Sequence, residues 1–217
     1  MSARMSAVQR LMALPDAFSL NVAATLMDVD KEVAKVYLSR WSTAGYIQSS
    51  GPRTGFYFNV LKNRQAASDC LPQAILHVHP TALVRGATVL HAAGVTTQIT
   101  HQVDVAVLAP ANRAHTNGFV EWPKPHRWYV AVNEFKSTDG LMGLPSLDTE
   151  AALADMYATP GDWHPDVDDL EVDDIDWGRF KVACERFGID VPSQLKPLVA
   201  KAAPLTPRPA RKRTARP

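Results

Sequence analysis

"VYLSRWSTAGYIQSSGPRTGFYF", residues 36–58, opens like a helix and closes like a strand, and the junction between the two decides the fold of the N-terminal third. Together with the residues just upstream, Val33, Ala34, Tyr37, Leu38 and Trp41 recur at the i, i+3, i+4, i+7 spacing of one helical face. Asp30 is placed to be the N-cap, and Gly45 suits the left-handed position that ends a helix. Ser49, Ser50, Gly51 and Pro52 are turn formers, and Phe56 and Phe58 then alternate with Tyr57 and Asn59 as in a strand. Tyr46 and Ile47 supply a short partner strand. The expected order is helix, strand, loop, strand.

Working outward, "FSLNVAATLMDVDKEV" offers Ser19 as a cap for a short helix with apolar Leu20, Val22, Ala23, Leu26 and Met27. A break at Asp28–Asp30 separates it from the next helix, and residues 5–14 form a preceding helix stopped by Pro15. Two helices joined by a tight turn and followed by a hairpin is the order of a winged helix-turn-helix. On the second helix, Lys31, Lys35, Ser39 and Arg40 fall outside the core stripe, and Arg53 and Thr54 fall at the hairpin tip. These six residues are the candidate DNA contacts: the helix for a major groove, the loop for phosphate. Residues 1–64 hold eight Lys or Arg against four Asp or Glu, a local net of +4 that suits a module facing double-stranded DNA. An ordinary amphipathic helix and hairpin with a solvated basic face is the alternative reading of the same pattern.

The net charge of +1 over 217 residues conceals strong segregation. Residues 148–176 carry eleven acids and no Lys or Arg, whereas residues 196–217 carry seven Lys or Arg and no acid. The two cysteines, Cys70 and Cys184, make neither a disulfide framework nor a paired metal spacing. With no apolar run long enough to span a bilayer and no leader, the expected setting is cytoplasmic, away from membranes.

"LKNRQAASD" (61–69) is a polar connector, and the domain boundary is expected there: residues 1–64 as the DNA-binding domain, 65–203 as a second domain, and 204–217 as a basic, Pro-rich, disordered tail. In the second domain, "GATVLHAAGV" (86–95) reads as a helix ended by Gly94, and "QVDVAVLAP" (102–110) as a strand stopped by Pro110. "GFVEW" (118–122) and the strongly alternating "HRWYVAVNEF" (126–135) read as further strands. Helices follow over 148–158, 176–188 and 193–203, with Asp148 and Gly188 as cap and stop. A few antiparallel strands mixed with helices make the chain α+β overall.

Candidate chemistry is sparse. His77 and His79 would share a strand face but lack a third ligand. The acidic run 166–174 lacks the glycine and spacing of a calcium loop. Asp104, Glu134 and Lys136 form a set that, if convergent, would hold Mg²⁺ for phosphodiester cleavage. Neither a Walker loop nor a Gly-rich fingerprint occurs. No cofactor and no enzymatic activity are expected.

From about residue 5 to about 201, the chain resembles the AbiEi-type antitoxins, the abortive-infection antitoxins of type IV toxin–antitoxin systems. The resemblance lies in the order of elements and in two stretches. Residues 86–95 follow the family's small residue–Ala–Leu–x–x–x–Gly pattern, with Thr88-Val89-Leu90 for the usual Ser-Ala-Leu. Residues 146–157 follow Ser–Pro–Glu–x–Ala–Leu, with Asp148-Thr149 in place of Ser-Pro. The resemblance implies a repressor that binds inverted repeats in its own promoter and counteracts a nucleotidyltransferase-like toxin, without a stable toxin complex being implied. It brings no catalytic residues. A plain winged-helix regulator with a sensing second domain is the alternative, and the nuclease reading a remoter one.

Overall fold

The computed structural model describes residues 6–109, 113–137 and 139–202. It is a mixed α+β chain with two small three-stranded sheets. Pro110 and the segment 204–217 lie outside the described residues.

The first helix, α1 (Ala7–Ala13), starts at a capping box in which Ser6 and Gln9 exchange hydrogen bonds. Side chains from beyond the hairpin add hydrogen bonds to the carbonyls at the C-terminal end of α1. Asn59, fully buried, donates to the Leu11 carbonyl at 2.9 Å, and the Lys62 ammonium donates to that of Leu14 at 3.0 Å. A strand not anticipated from the sequence, β1 (Ala17–Ser19), leads into α2 (Leu20–Met27), and the Ser19 hydroxyl caps that helix by accepting from the Val22 amide. Asp28 then adopts the left-handed conformation, φ 52°, which an aspartate tolerates better than most residues, and turns the chain into α3 (Lys31–Thr43).

On α3, Ala34, Leu38 and Trp41 are buried, with the Tyr37 ring 5.5 Å from that of Trp41. Asp30 holds the cap position, but its side chain makes no capping hydrogen bond. Val33, placed in the core stripe by periodicity, is 45% exposed, as Val22 and Leu26 are on α2 at 39% and 56%. The stripe is narrower than the spacing suggests, with Ala23, Ala24 and Met27 of α2 clustered against Ala34, Leu38 and Trp41 of α3. The hairpin pairs β2 (Gln48–Ser49) with β3 (Phe56–Phe58), and the sheet order is β1-β3-β2. The partner strand thus begins two residues later than Tyr46, and Ile47 is a core residue rather than a ladder residue.

The connector is packed rather than free. It contains α4 (Ala66–Asp69), whose Ala66 is buried with Phe56, Phe58 and Ala74 of α5 (Leu71–Val78). Beyond it, β4 (Leu83–Val84) pairs antiparallel with β5 (Val103–Leu108), across α6 (Gly86–Ala92). The strand β6 (Phe119–Lys124) runs parallel to β5, with Val103 opposite Phe119, where an antiparallel neighbour had been expected.

Residues 126–135 are not a strand. They form α7 (His126–Ala131) and a 3-10 turn, Asn133–Phe135. The alternation Trp128, Val130, Val132 suggested period two, but Val130 is 65% exposed. The buried set is Trp128, Val132 and Phe135, which is the i, i+4, i+7 face of a helical path.

Helix α8 (Thr149–Ala158) is buried on nearly every side, and α9 (Trp177–Phe187) packs along it before α10 (Lys196–Lys201) closes the described chain. The Asp148 carboxylate caps α8 and also receives the Arg179 guanidinium, while the Glu150 carboxylate accepts from the Asp176 amide at 3.0 Å. Gly188 ends α9 with φ 72°. No helix among the described residues is long and apolar enough to cross a membrane.

Burial pushes the hydroxyls of Tyr129 and Tyr157 and the thiol of Cys184 each up to about 12. The unfolded chain releases these protons nearer pH 10 and pH 9. A folded state that holds protons the unfolded state has lost is destabilised as pH climbs, so this contribution is full below about pH 9 and lost as pH rises through about 12. Melting temperature is expected to fall progressively above about pH 9. A profile flat to about pH 11 would show that these groups titrate alike in both states.

Candidate functional site

The six candidate DNA contacts separate into two groups. Lys31, Lys35, Ser39 and Arg40 are all exposed on α3, Lys31 and Arg40 on opposite flanks of a helix anchored from beneath by Leu38 and Trp41. Lys35 makes an ion pair with Glu32 one turn earlier, at 2.7 Å. Arg10 of α1 lies over the Tyr37 ring at 5.7 Å.

At the hairpin tip, Arg53 is exposed with φ 61°. Thr54 is not exposed: it is 7% accessible, and its hydroxyl is consumed inside the loop. It accepts from the Ser50 hydroxyl at 2.8 Å and from the Phe56 amide at 3.3 Å, and donates to the Gly51 carbonyl at 3.0 Å. Thr54 therefore shapes the tip and is withdrawn as a phosphate contact. The tip itself is docked on the second region. The His115 amide donates to the Pro52 carbonyl at 3.1 Å and the Asn117 amide to that of Ser50 at 2.8 Å.

His77 and His79 do not share a strand face. They lie at the end of α5, where residues two apart diverge around the helix. The His77 ring packs on Phe56 at 5.0 Å, and the buried His79 faces Glu121, which also lies 3.3 Å from the His115 Nδ1 atom. The proposed acidic pair also has separate partners. Asp104 accepts from the Trp122 indole at 2.9 Å and neighbours the Thr88 hydroxyl, whereas Glu134 pairs with Arg186 of α9 at 2.5 Å. Lys136 donates to the Asn133 side chain at 3.2 Å. Among the described residues, no group of three or more His, Cys, Asp or Glu is arranged to hold a metal ion.

The second region contains a buried charged cluster that the sequence reading did not identify. Arg85, just before α6, is fully buried. Its Nε atom donates to Asp155 of α8, and its NH2 group donates to Asp162 at 2.6 Å and to the Thr159 hydroxyl at 3.2 Å. From the end of β6, the Lys124 ammonium reaches the other Asp155 oxygen at 2.8 Å, and the Trp128 indole donates to that oxygen at 2.7 Å. The Arg85 guanidinium also lies over the Trp122 ring at 4.9 Å.

Burial pushes the Lys124 ammonium below the ordinary lysine range, although Asp155 draws it back. Burial likewise raises the Asp104 carboxyl, against the hydrogen bond from Trp122. Lys124, Trp128, Asp155 and Thr159 form the floor of a cleft of about 700 Å³, rimmed by Arg127 and Arg186 and walled by Pro123, Pro160 and Phe187. One sequence signal pointed here. Asp155 directly follows the apolar run Ala151-Ala152-Leu153-Ala154, and a charge in the middle of a largely apolar helix requires a buried partner.

No family model matches the chain, and no curated protein matches it. Over 92% of this chain and 81% of the other, the fold is similar to the crystal structure of the RV2827C protein from Mycobacterium tuberculosis, with a TM-score of 0.47 and 13% identity.

Proposed function

We propose that this chain is a DNA-binding autoregulator and the antitoxin of a type IV toxin–antitoxin system, acting against a nucleotidyltransferase-like toxin. The observation that carries the DNA-binding half is α3: a helix locked from beneath by Leu38 and Trp41, with Lys31, Lys35, Ser39 and Arg40 on exposed positions. The order of elements supports reading residues 1–64 as a winged helix-turn-helix, with α3 as the helix that enters the major groove. The antitoxin half rests on the resemblance of residues 86–95 and 146–157 to the AbiEi pattern. A sensing role for the second region is the second reading, favoured by the cleft above Lys124 and Asp155.

Separating the two jobs tests the proposal. A Lys35→Glu variant is expected to derepress a reporter driven by the DNA upstream of its own gene, yet still protect cells co-expressing the neighbouring nucleotidyltransferase-like gene. Loss of protection by the wild-type chain under the same conditions would leave only the regulator.

The two hairpin residues should behave differently. Arg53→Ala should weaken binding to all duplexes alike and reduce the slope of log K against log salt by about one. Thr54→Val should leave that slope alone and lower stability by about 1–3 kcal/mol, because it strands the Ser50 hydroxyl and the Phe56 amide. Salt titration paired with chemical denaturation distinguishes them, and a change of slope in Thr54→Val would restore it as a phosphate contact.

A further inference from the structure

The outward face of α3 is not uniformly polar. At about 100° per residue, Val36 lies roughly 170° around the axis from the mean direction of Ala34, Leu38 and Trp41, at the centre of the exposed side. It is 49% accessible. Its neighbours along that centre line have committed their polar groups elsewhere. The Glu32 carboxylate, one turn before, holds the Lys35 ammonium at 2.7 Å. The Thr43 hydroxyl, two turns after, donates to the Ser39 carbonyl at 3.0 Å. Ser39 and Arg40 flank the line with donors.

A valine in this place serves neither the core nor the helix. It buries little, and its β-branch makes it a poorer helix former than alanine. In the major groove, by contrast, an apolar side chain has one specific counterpart, because thymine alone among the four bases presents a C5 methyl there.

We propose that Val36 is a specificity-determining residue that packs against a thymine methyl in the major groove, while Ser39 and Arg40 supply the flanking hydrogen bonds. This inference rests on the reading of α3 as the groove-entering helix. It names what that reading leaves open: the operator carries a thymine opposite the middle of α3, and its recognition there is apolar.

The test uses the full chain and the tightest duplex it selects from a randomised pool. Each thymine of that duplex is replaced in turn by deoxyuridine, which removes only the C5 methyl. One replacement is expected to weaken wild-type binding about fourfold, the effect of removing one buried methyl from contact. In Val36→Ala, which remains folded because the position is exposed, the same replacement should change affinity less than about twofold. Equal penalties in both proteins, or no sensitive thymine, would overturn the inference while leaving DNA binding through Lys35 and Arg40 intact. Selection of no duplex above the pool would overturn the inference and the reading it rests on. A Val36→Ala variant that loses toxin protection but keeps the wild-type uracil penalty would assign the valine to a protein partner instead.

Discussion

Asp155→Ala should cost about 3–5 kcal/mol of folding stability and lower the melting temperature by roughly 10 °C, the largest single-residue effect expected in this chain. Asp155 is fully buried and is the shared acceptor for Arg85, Lys124 and the Trp128 indole. Without it, Arg85 keeps Asp162 and Lys124 keeps Thr159, but the two largely buried cations lose the carboxylate they share. Removing one partner of a buried ion pair is costly because the remaining charge has already lost its hydration. Asp155→Asn should fall between the two, since the amide can still accept one hydrogen bond. Urea unfolding of the full chain measures both. A loss below about 1 kcal/mol for the alanine variant would mean that Arg85 and Lys124 are solvated or paired otherwise.

The second large effect is expected at Gly51. Its φ is 154°, and a Cβ built there would lie 2.0 Å from the His115 carbonyl oxygen, with the Asn117 amide nitrogen at 3.2 Å. Both contacts are backbone, so no flexible side chain can move aside. Gly51→Ala must therefore lift the hairpin tip from residues 115–117 and break the two hydrogen bonds that join them. A cost of about 2–4 kcal/mol follows from backbone strain plus the lost docking. The specific readout is hydrogen exchange. The amides of His115 and Asn117 should lose protection, while that of Leu38 in the α3 core should keep it. Unchanged protection at Asn117 would contradict the docked tip. The docking also links the hairpin physically to the second region, so a C-terminal fragment cut near residue 65 would lose a surface it normally shares.

Features that depend on local spacing were legible in the sequence. Leu38 and Trp41 identify α3 because four residues or fewer separate the positions that share a face. Ser19, Asp148, Gly94 and Gly188 act as caps and stops because capping is decided within one turn. Residues 126–135 were misread because both a period of two and a period of 3.6 pass through Trp128 and Val132, and only the exposure of Val130 separates them. Thr54 was misplaced because its hydroxyl turns inward to Ser50, Gly51 and Phe56, a choice of loop conformation that the turn residues alone do not specify. The Arg85–Lys124–Asp155 cluster was invisible because its members are far apart in the chain. Three separate stretches of chain contribute one residue each, and no local pattern encodes their meeting beyond Asp155 at the end of an apolar run in α8.

The claim that α3 is the DNA-reading helix is tested most directly by titrating the full chain against the duplex upstream of its own gene at several salt concentrations. The account predicts tighter binding to that duplex than to an unrelated one, with log K falling linearly in log salt with a slope of several units. It further predicts that Lys35→Glu with Arg40→Glu abolishes the preference while the melting temperature stays within about 2 °C of the parent, since both residues are exposed. Equal affinity of the parent and the double variant for the upstream duplex would contradict the account.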